Sequence, residues 1–264
     1  MKYKIGDVAR LLGISPDLLR YYEKKGVVTP EKDESNDYRY YDSWDINFLL
    51  DCLWFKNYGF SIEQIADMVR IPDISELNAL FLGKEEELRA TIRRCQLLLQ
   101  RSEEHRHNLE RIPALLYRCE LCESPEMVRY LNRFGTAYSK ESGFEALARR
   151  WLGALPFNDR YFEMDDCYAS GYSWGFSLTR PYVDALDFDI SAPMTVLPPR
   201  RSVHTIFKNP GGKGSFSPAL LDYARDYAAA NGLTVTAPPC GVLLASVLEN
   251  DTLTGYFEAW LPIE

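Results

Sequence analysis

Apolar residues recur at helical spacing from the start of the chain. Ile5, Val8, Ala9 and Leu12 form one stripe, and Gly13 closes it. Ser15, Pro16 and Asp17 then predict a second helix, with serine as cap, proline at the first position and an anion at the positive end of the dipole. Its apolar positions are Leu18, Leu19 and Tyr22; it runs to about Lys25, and Gly26 ends it. Tyr38 to Tyr41 follows a polar stretch, Glu31 to Asp37, in which Asn36-Asp37 offers a hairpin turn. Ser43 is expected to cap a helix carrying Ile46, Leu49, Leu50, Leu53 and Trp54, and Ser61 with Gln64 forms the capping box of one more. A helix, a glycine turn and a second capped helix make a helix-turn-helix.

The spacing then lengthens. Phe81, Leu88, Cys95, Ser102 and Leu109 stand seven apart, with Ile92, Leu99 and Arg106 interleaved four residues after Leu88, Cys95 and Ser102. That is a heptad seam, and it predicts a long helix over 75–112, ended by Pro113. From 124 to 264 the pattern mixes periods. Phe144–Leu155 and Pro218–Asn231 read as helices; Tyr168–Leu178, Ser202–Lys208, Val242–Leu248 and Thr254–Leu261 read as strands. The expected fold class is α+β in three parts: 1–70, 75–112, and an α+β domain over 124–264 with helices on one face of a sheet.

The 264 residues carry a net charge of −8, which opposes a broadly basic nucleic-acid binder. The acidity is uneven. Residues 1–70 hold 10 Lys/Arg against 12 Asp/Glu, residues 71–118 hold 8 against 8, and residues 119–264 hold 12 against 18. DNA binding must therefore rely on basic side chains gathered on one face. No apolar run approaches the roughly 20 residues that span a bilayer, and the N-terminus lacks a secretory pattern. A cytoplasmic protein without membrane contact is expected, with its cysteines mostly reduced and Cys52 and Cys95 in the core.

Arg20, Tyr21, Lys24 and Lys25 lie on the second helix, where arginine forks onto guanine or phosphate and tyrosine offers a hydroxyl and a ring. Arg39 and Tyr40 on the hairpin would add a second contact, and Lys56 near the end of the third helix would meet backbone phosphate. The run IGDVARLLGISPDLLRYYEKKGVVTP, followed by DYRYY and FKNYGFSIEQI, closely resembles the winged helix-turn-helix domain of the MerR family. Asp37 stands where that family usually has a hairpin glycine. The resemblance implies DNA contacts by Arg20 and Tyr21 in the recognition helix and by Arg39 and Tyr40 in the wing. It also implies an antiparallel coiled-coil homodimer on a pseudo-palindromic promoter, untwisted for RNA polymerase when an effector binds.

Two chemistries compete at the C-terminal end. Cys119-Glu120-Leu121-Cys122 fits two zinc ligands or a redox pair, but His105 and His107, two apart on a helix, point about 200° apart. The rival is an organic-ligand pocket. Tyr256, Glu258 and Trp260 share one face of the final strand, and Tyr168, Tyr172, Trp174 and Phe176 share a face of an earlier one, with Ser170 between. A carboxylate flanked by rings suits an aromatic cation. The last 140 or so residues resemble the GyrI-like effector domain of BmrR-type multidrug sensors. That resemblance implies that Glu258, in YFEAWLPI, is the anion facing a small-molecule effector. Some stand-alone GyrI-like proteins are hydrolases, which would make Glu258 a base. No cofactor, metal or catalytic residue is expected.

Overall fold

The computed structural model describes residues 2–33, 38–71, 73–134, 137–139, 144–165, 171–211 and 215–264. Asn36, Asp37, Tyr168 and Ser170 lie outside them. The chain divides into two compact units, Met1–Arg94 and Cys95–Glu264.

The first unit begins with β1 (Tyr3–Lys4), α1 (Ile5–Leu12) and α2 (Pro16–Lys24). Gly13 takes the left-handed conformation that closes α1, at φ 66°. Ser15 caps α2 by accepting from the Leu18 amide at 3.1 Å. Strands β2 (Glu31–Lys32) and β3 (Arg39–Tyr41) join β1 in a three-stranded sheet of order β1-β3-β2. Helices α3 (Ser43–Asn57) and α4 (Ile62–Met68) follow. The cap of α3 is Asp42, not Ser43. Asp42 Oδ1 accepts from the amides of Trp44 and Asp45, and Asp45 Oδ2 accepts from the Asp42 amide. A carboxylate with a reciprocal partner three residues on satisfies more orphan amides than the serine would. The Ser61–Gln64 box forms as expected. Val8, Leu19, Tyr22, Tyr41, Leu49, Cys52 and Ile65 make the core beneath these elements.

Helix α5 runs from Ile74 to Leu115, past the proline expected to end it. Pro113 removes one helical donor, yet another turn is held because Leu115 is buried and Leu116 is bonded back to Ile112 at 2.9 Å. The seam residues Leu88, Ile92 and Leu99 are 46%, 56% and 61% exposed, and Cys95 is exposed rather than in the core. Leu97 and Leu98 instead turn into the second unit's own core.

That unit is built on a nine-stranded sheet. In chain order it comprises β4 (Cys119–Glu123), β5 (Met127–Phe134), β6 (Ala137–Tyr138), α6 (Phe144–Gly153), β7 (Asp159–Glu163), β8 (Ser173–Thr179), α7 (Arg180–Ala185), β9 (Thr195–Leu197) and β10 (Arg201–Pro210). A 3-10 turn (Pro218–Leu221), α8 (Asp222–Ala230), β11 (Cys240–Glu249) and β12 (Thr252–Pro262) complete it. The strand order is β4-β10-β12-β11-β7-β8-β5-β6, with β9 also on β5. One face carries Phe162, Trp174, Phe207 and Phe257 under α8, and Val128, Tyr130 and Leu178 beside Trp151 and Tyr182 of α6 and α7. The other face carries Tyr161, Ile206, Val242, Leu244 and Trp260, closed by Ile112 and Leu115 at the end of α5. Helices thus cover both faces. No helix among the described residues is long and apolar enough to cross a membrane.

Candidate functional site

In the first unit α2 presents Arg20, Tyr21 and Lys24 outward, while Leu19 and Tyr22 are buried. The basic side chains are mostly held by acids. Arg20 pairs with Asp17 at 2.6 Å, Lys25 with Glu63 at 2.9 Å, and Arg39 of β3 with Glu23 at 2.5 Å. The Tyr21 hydroxyl donates to Glu63 at 3.1 Å, and Lys25 lies 5.5 Å from the Tyr21 ring centroid. Hydrogen bonds from Lys25, its own backbone and Tyr21 hold the Glu63 carboxyl down at about 2, so it remains an anion. Tyr40 is half-buried on β3, and Lys56 is exposed near the end of α3. Phosphate is the natural substitute for such carboxylates, since it accepts the same donors.

The second unit contains a cavity of about 660 Å³ on the sheet face that bears Glu258 and Trp260. Arg101, Glu104, His105, Asn108 and Arg111 of α5 form one wall. Glu258 is 7% exposed and His204 is 2% exposed. His204 Nε2 lies 2.7 Å from Glu258 Oε1, and its Nδ1 lies 2.9 Å from Glu120 Oε1. With a carboxylate oxygen at each ring nitrogen, the doubly protonated ring can donate from both, which favours its positive charge. Burial opposes that charge. The hydrogen bond to Glu258, that carboxylate's charge and the bond to Glu120 outweigh it, so the His204 pKa is raised above 6.5. The ring stacks on Trp260 at 5.8 Å between centroids. Arg111 Nη1 stands 3.6 Å from Glu258 and its Nη2 3.4 Å from Glu120. Further along the wall Arg101 pairs with Asp159, whose carboxyl is pushed up by burial and pulled back by that arginine.

Of the sequence-predicted ligand residues, Glu258 and Trp260 line this cavity. Tyr256, two residues before, bonds Glu249 instead. Tyr172 and Trp174 lie on the opposite face, with Phe162 paired to Trp174 across the β7–β8 ladder. Phe176, also on that face, stacks on Trp151. Of these described rings only Trp260 therefore shares a cavity with the carboxylate. Alternation fixes which residues of a strand share a face; the ladder decides which face that is. His204, Glu120 and Arg111 were not singled out from sequence. His204 within the apolar run SVHTIF carried the only available signal, a titratable ring at an inward position.

The cysteine motif separates in the same way. Cys119 pairs with Thr205 and packs under α8, whereas Cys122 pairs with Ser202 and packs near Trp260. Three residues apart on one strand, their sulfurs face opposite sides of the sheet. Burial pushes both thiols up, the opposite of a reactive pair. Among the described residues no group of His, Cys, Asp and Glu is arranged to hold a metal.

Residues 3–70 match the model of the MerR HTH family regulatory protein. The HTH-type transcriptional regulator CueR of Escherichia coli is 34% identical over 67 residues, which cover 25% of this chain and 50% of that protein. The HTH-type transcriptional activator mta of Bacillus subtilis is 32% identical over 85 residues, covering 32% of this chain and 33% of mta. Among solved structures, MtaN, the N-terminus of the Bacillus subtilis multidrug transporter activator, is 26% identical over 39% of this chain and 95% of that chain, with a TM-score of 0.36. The chain spans half or less of the length of these curated relatives. Residues 3–70, with their capped α1–α2 pair and short sheet, form a MerR-family helix-turn-helix domain, a module carried by transcriptional regulators.

Proposed function

We propose that the chain is an effector-responsive transcriptional regulator that holds promoter DNA as a homodimer and activates when a small aromatic cation occupies the second unit. Arg20, Tyr21, Lys24 and Lys25 are its recognition-helix contacts, Arg39 and Tyr40 its wing contacts, and Lys56 a phosphate contact. The exposed seam of α5 is its dimer interface, in the antiparallel pairing of the family. Apolar residues left half exposed in one chain regain burial against a partner's seam, at about 25 cal/mol per Å². The ligand-bound dimer untwists the promoter for RNA polymerase, a deformation whose cost depends on sequence.

The observation that carries the sensor half is that Glu258 is shared between His204 on the sheet and Arg111 on α5. An aromatic cation entering the cavity stacks on Trp260 and competes with Arg111, the more distant partner, for the carboxylate. Releasing Arg111 acts directly on the helix that also bears the seam. Binding thus becomes a signal only because the native partner of Glu258 is displaced. Tyr256, Tyr172, Trp174 and Phe176 are left out of this cavity; Glu258 and Trp260 remain.

A thermal-shift panel of aromatic quaternary ammonium and phosphonium ions tests the reading. At least one member should raise the melting temperature of the full chain, and a neutral carbon isostere of that member should not. A panel in which no cation stabilises the protein contradicts it.

A further inference from the structure

The face of the second unit opposite Glu258 has a cavity of its own, about 390 Å³, walled by Tyr172, Trp174, Phe216 and Phe257. Its volume falls within the range of small-molecule sites. Its charge is opposite to that of the domain: Arg133 and Arg160 line it, and none of the described residues lining it is acidic. Among the described residues neither guanidinium has an ion-pair partner. The Arg133 guanidinium lies 5.2 Å from the Trp174 ring centroid.

A backbone irregularity puts Arg133 there. Strand β5 runs in simple alternation against β8 as far as Leu131, opposite Gly175, and then slips so that Arg133 faces Trp174. Without that bulge Arg133 would share the face of Arg129 and Leu131, on the Glu258 side. A bulge of one residue re-aims a side chain to the other face of a sheet. Among the described residues two buried donors at the same spot have no acceptor, Arg133 Nε and Trp174 Nε1, and Trp174 is only 9% exposed. Unpaired buried donors and neighbouring unpaired cations are both unfavourable, and an anion relieves both.

We infer that this cavity is a second ligand site, distinct from the Glu258 cavity, that takes a planar aromatic carboxylate. The rings receive the apolar body. The carboxylate accepts from the Arg133 and Arg160 guanidinium groups in the forked geometry that arginine offers. The two cavities then read ligands of opposite charge on opposite faces of one sheet.

The test is calorimetric titration of the full chain with 2-naphthoate and with 2-acetylnaphthalene, its neutral counterpart. Wild type should bind 2-naphthoate at least tenfold more tightly than the ketone. Arg160→Gln, at an exposed position, should lose at least tenfold in 2-naphthoate affinity, about 1.4 kcal/mol. Arg133→Gln should lose at least as much; if it fails to fold, Arg160→Gln decides alone. Arg149→Gln, an exposed arginine of α6 outside both cavities, should bind 2-naphthoate as wild type does. No saturable binding up to about 1 mM, equal affinity for acid and ketone, undiminished binding to Arg160→Gln, or loss in Arg149→Gln would each overturn the assignment.

Discussion

His204 Nε2 stands 2.7 Å from Glu258 Oε1, across the β10–β12 ladder and two residues out of register, since His204 faces Trp260 and Glu258 faces Ile206. The diagonal brings a ring and a carboxylate together where a direct pairing would have put each against an apolar side chain. Glu258 is therefore not a bare anion waiting for a cation. It is already balanced, by His204 beneath it and Arg111 beside it.

Removing the ring's charge should be costly. His204→Gln leaves Glu258 buried with Arg111 alone at 3.6 Å, and roughly 2–3 kcal/mol of stability should be lost, below the full cost of a broken buried pair. Urea unfolding measured against wild type checks this. A loss under about 0.5 kcal/mol, the level of a surface change, would mean that Arg111 suffices.

The same pair sets a pH dependence. The folded-state pKa of His204 is raised above 6.5, so its stabilising contribution is complete below 6.5 and is lost as pH rises through the folded value. The stability gap between wild type and His204→Gln should accordingly shrink on going from pH 6 to pH 9. A constant or widening gap would show that the ring is neutral throughout.

At the DNA-facing end, Arg20→Ala should cost ~1–3 kcal/mol of operator binding if the side chain reads a base, with relaxed specificity at one position. Arg39→Ala should weaken binding across sequences. Gel shifts report both, and wild-type affinity in both variants would remove α2 and β3 from the interface.

Leu99, 61% exposed on α5, tests dimerisation. Leu99→Asp places a carboxylate in the seam and should shift a micromolar homodimer toward monomer, weakening DNA binding with it. Light scattering that finds wild type monomeric, or the variant fully dimeric, would move the interface elsewhere.

Much of the first unit was legible because its signals are local. Ser15-Pro16 and Ser61-Gln64 cap where expected, and Gly13 and Gly26 adopt the positive φ that glycine supplies. The misreadings concern competition and tertiary context. Asp42 outcompeted Ser43 because it had Asp45 to reciprocate, and α5 passed Pro113 because Leu115 had a core to enter. In the second unit, alternation grouped Tyr172 with Trp174 and Glu258 with Trp260, as the strands do. It could not say that the β7–β8 ladder sends the first pair to the other face, nor that the bulge before Arg133 turns that side chain toward them. Strands β4, β5 and β7 escaped detection for a related reason: their residues face both a core and a cavity, so polar side chains such as Glu120, Arg129 and Glu163 interrupt the apolar pattern, while β9 is only three residues long.

The central claim is that the charge on Glu258 selects a cationic effector. Isothermal titration of wild type and Glu258→Gln with a matched pair, an aromatic quaternary ammonium ion and its neutral carbon isostere, measures it most directly. Glutamine keeps the size and hydrogen-bonding capacity of the side chain and removes its charge. The account predicts that cation affinity falls at least tenfold, about 1.4 kcal/mol, while affinity for the neutral compound barely changes. Equal losses for both ligands would make Glu258 a structural group, and undiminished cation binding would place the effector outside its cavity.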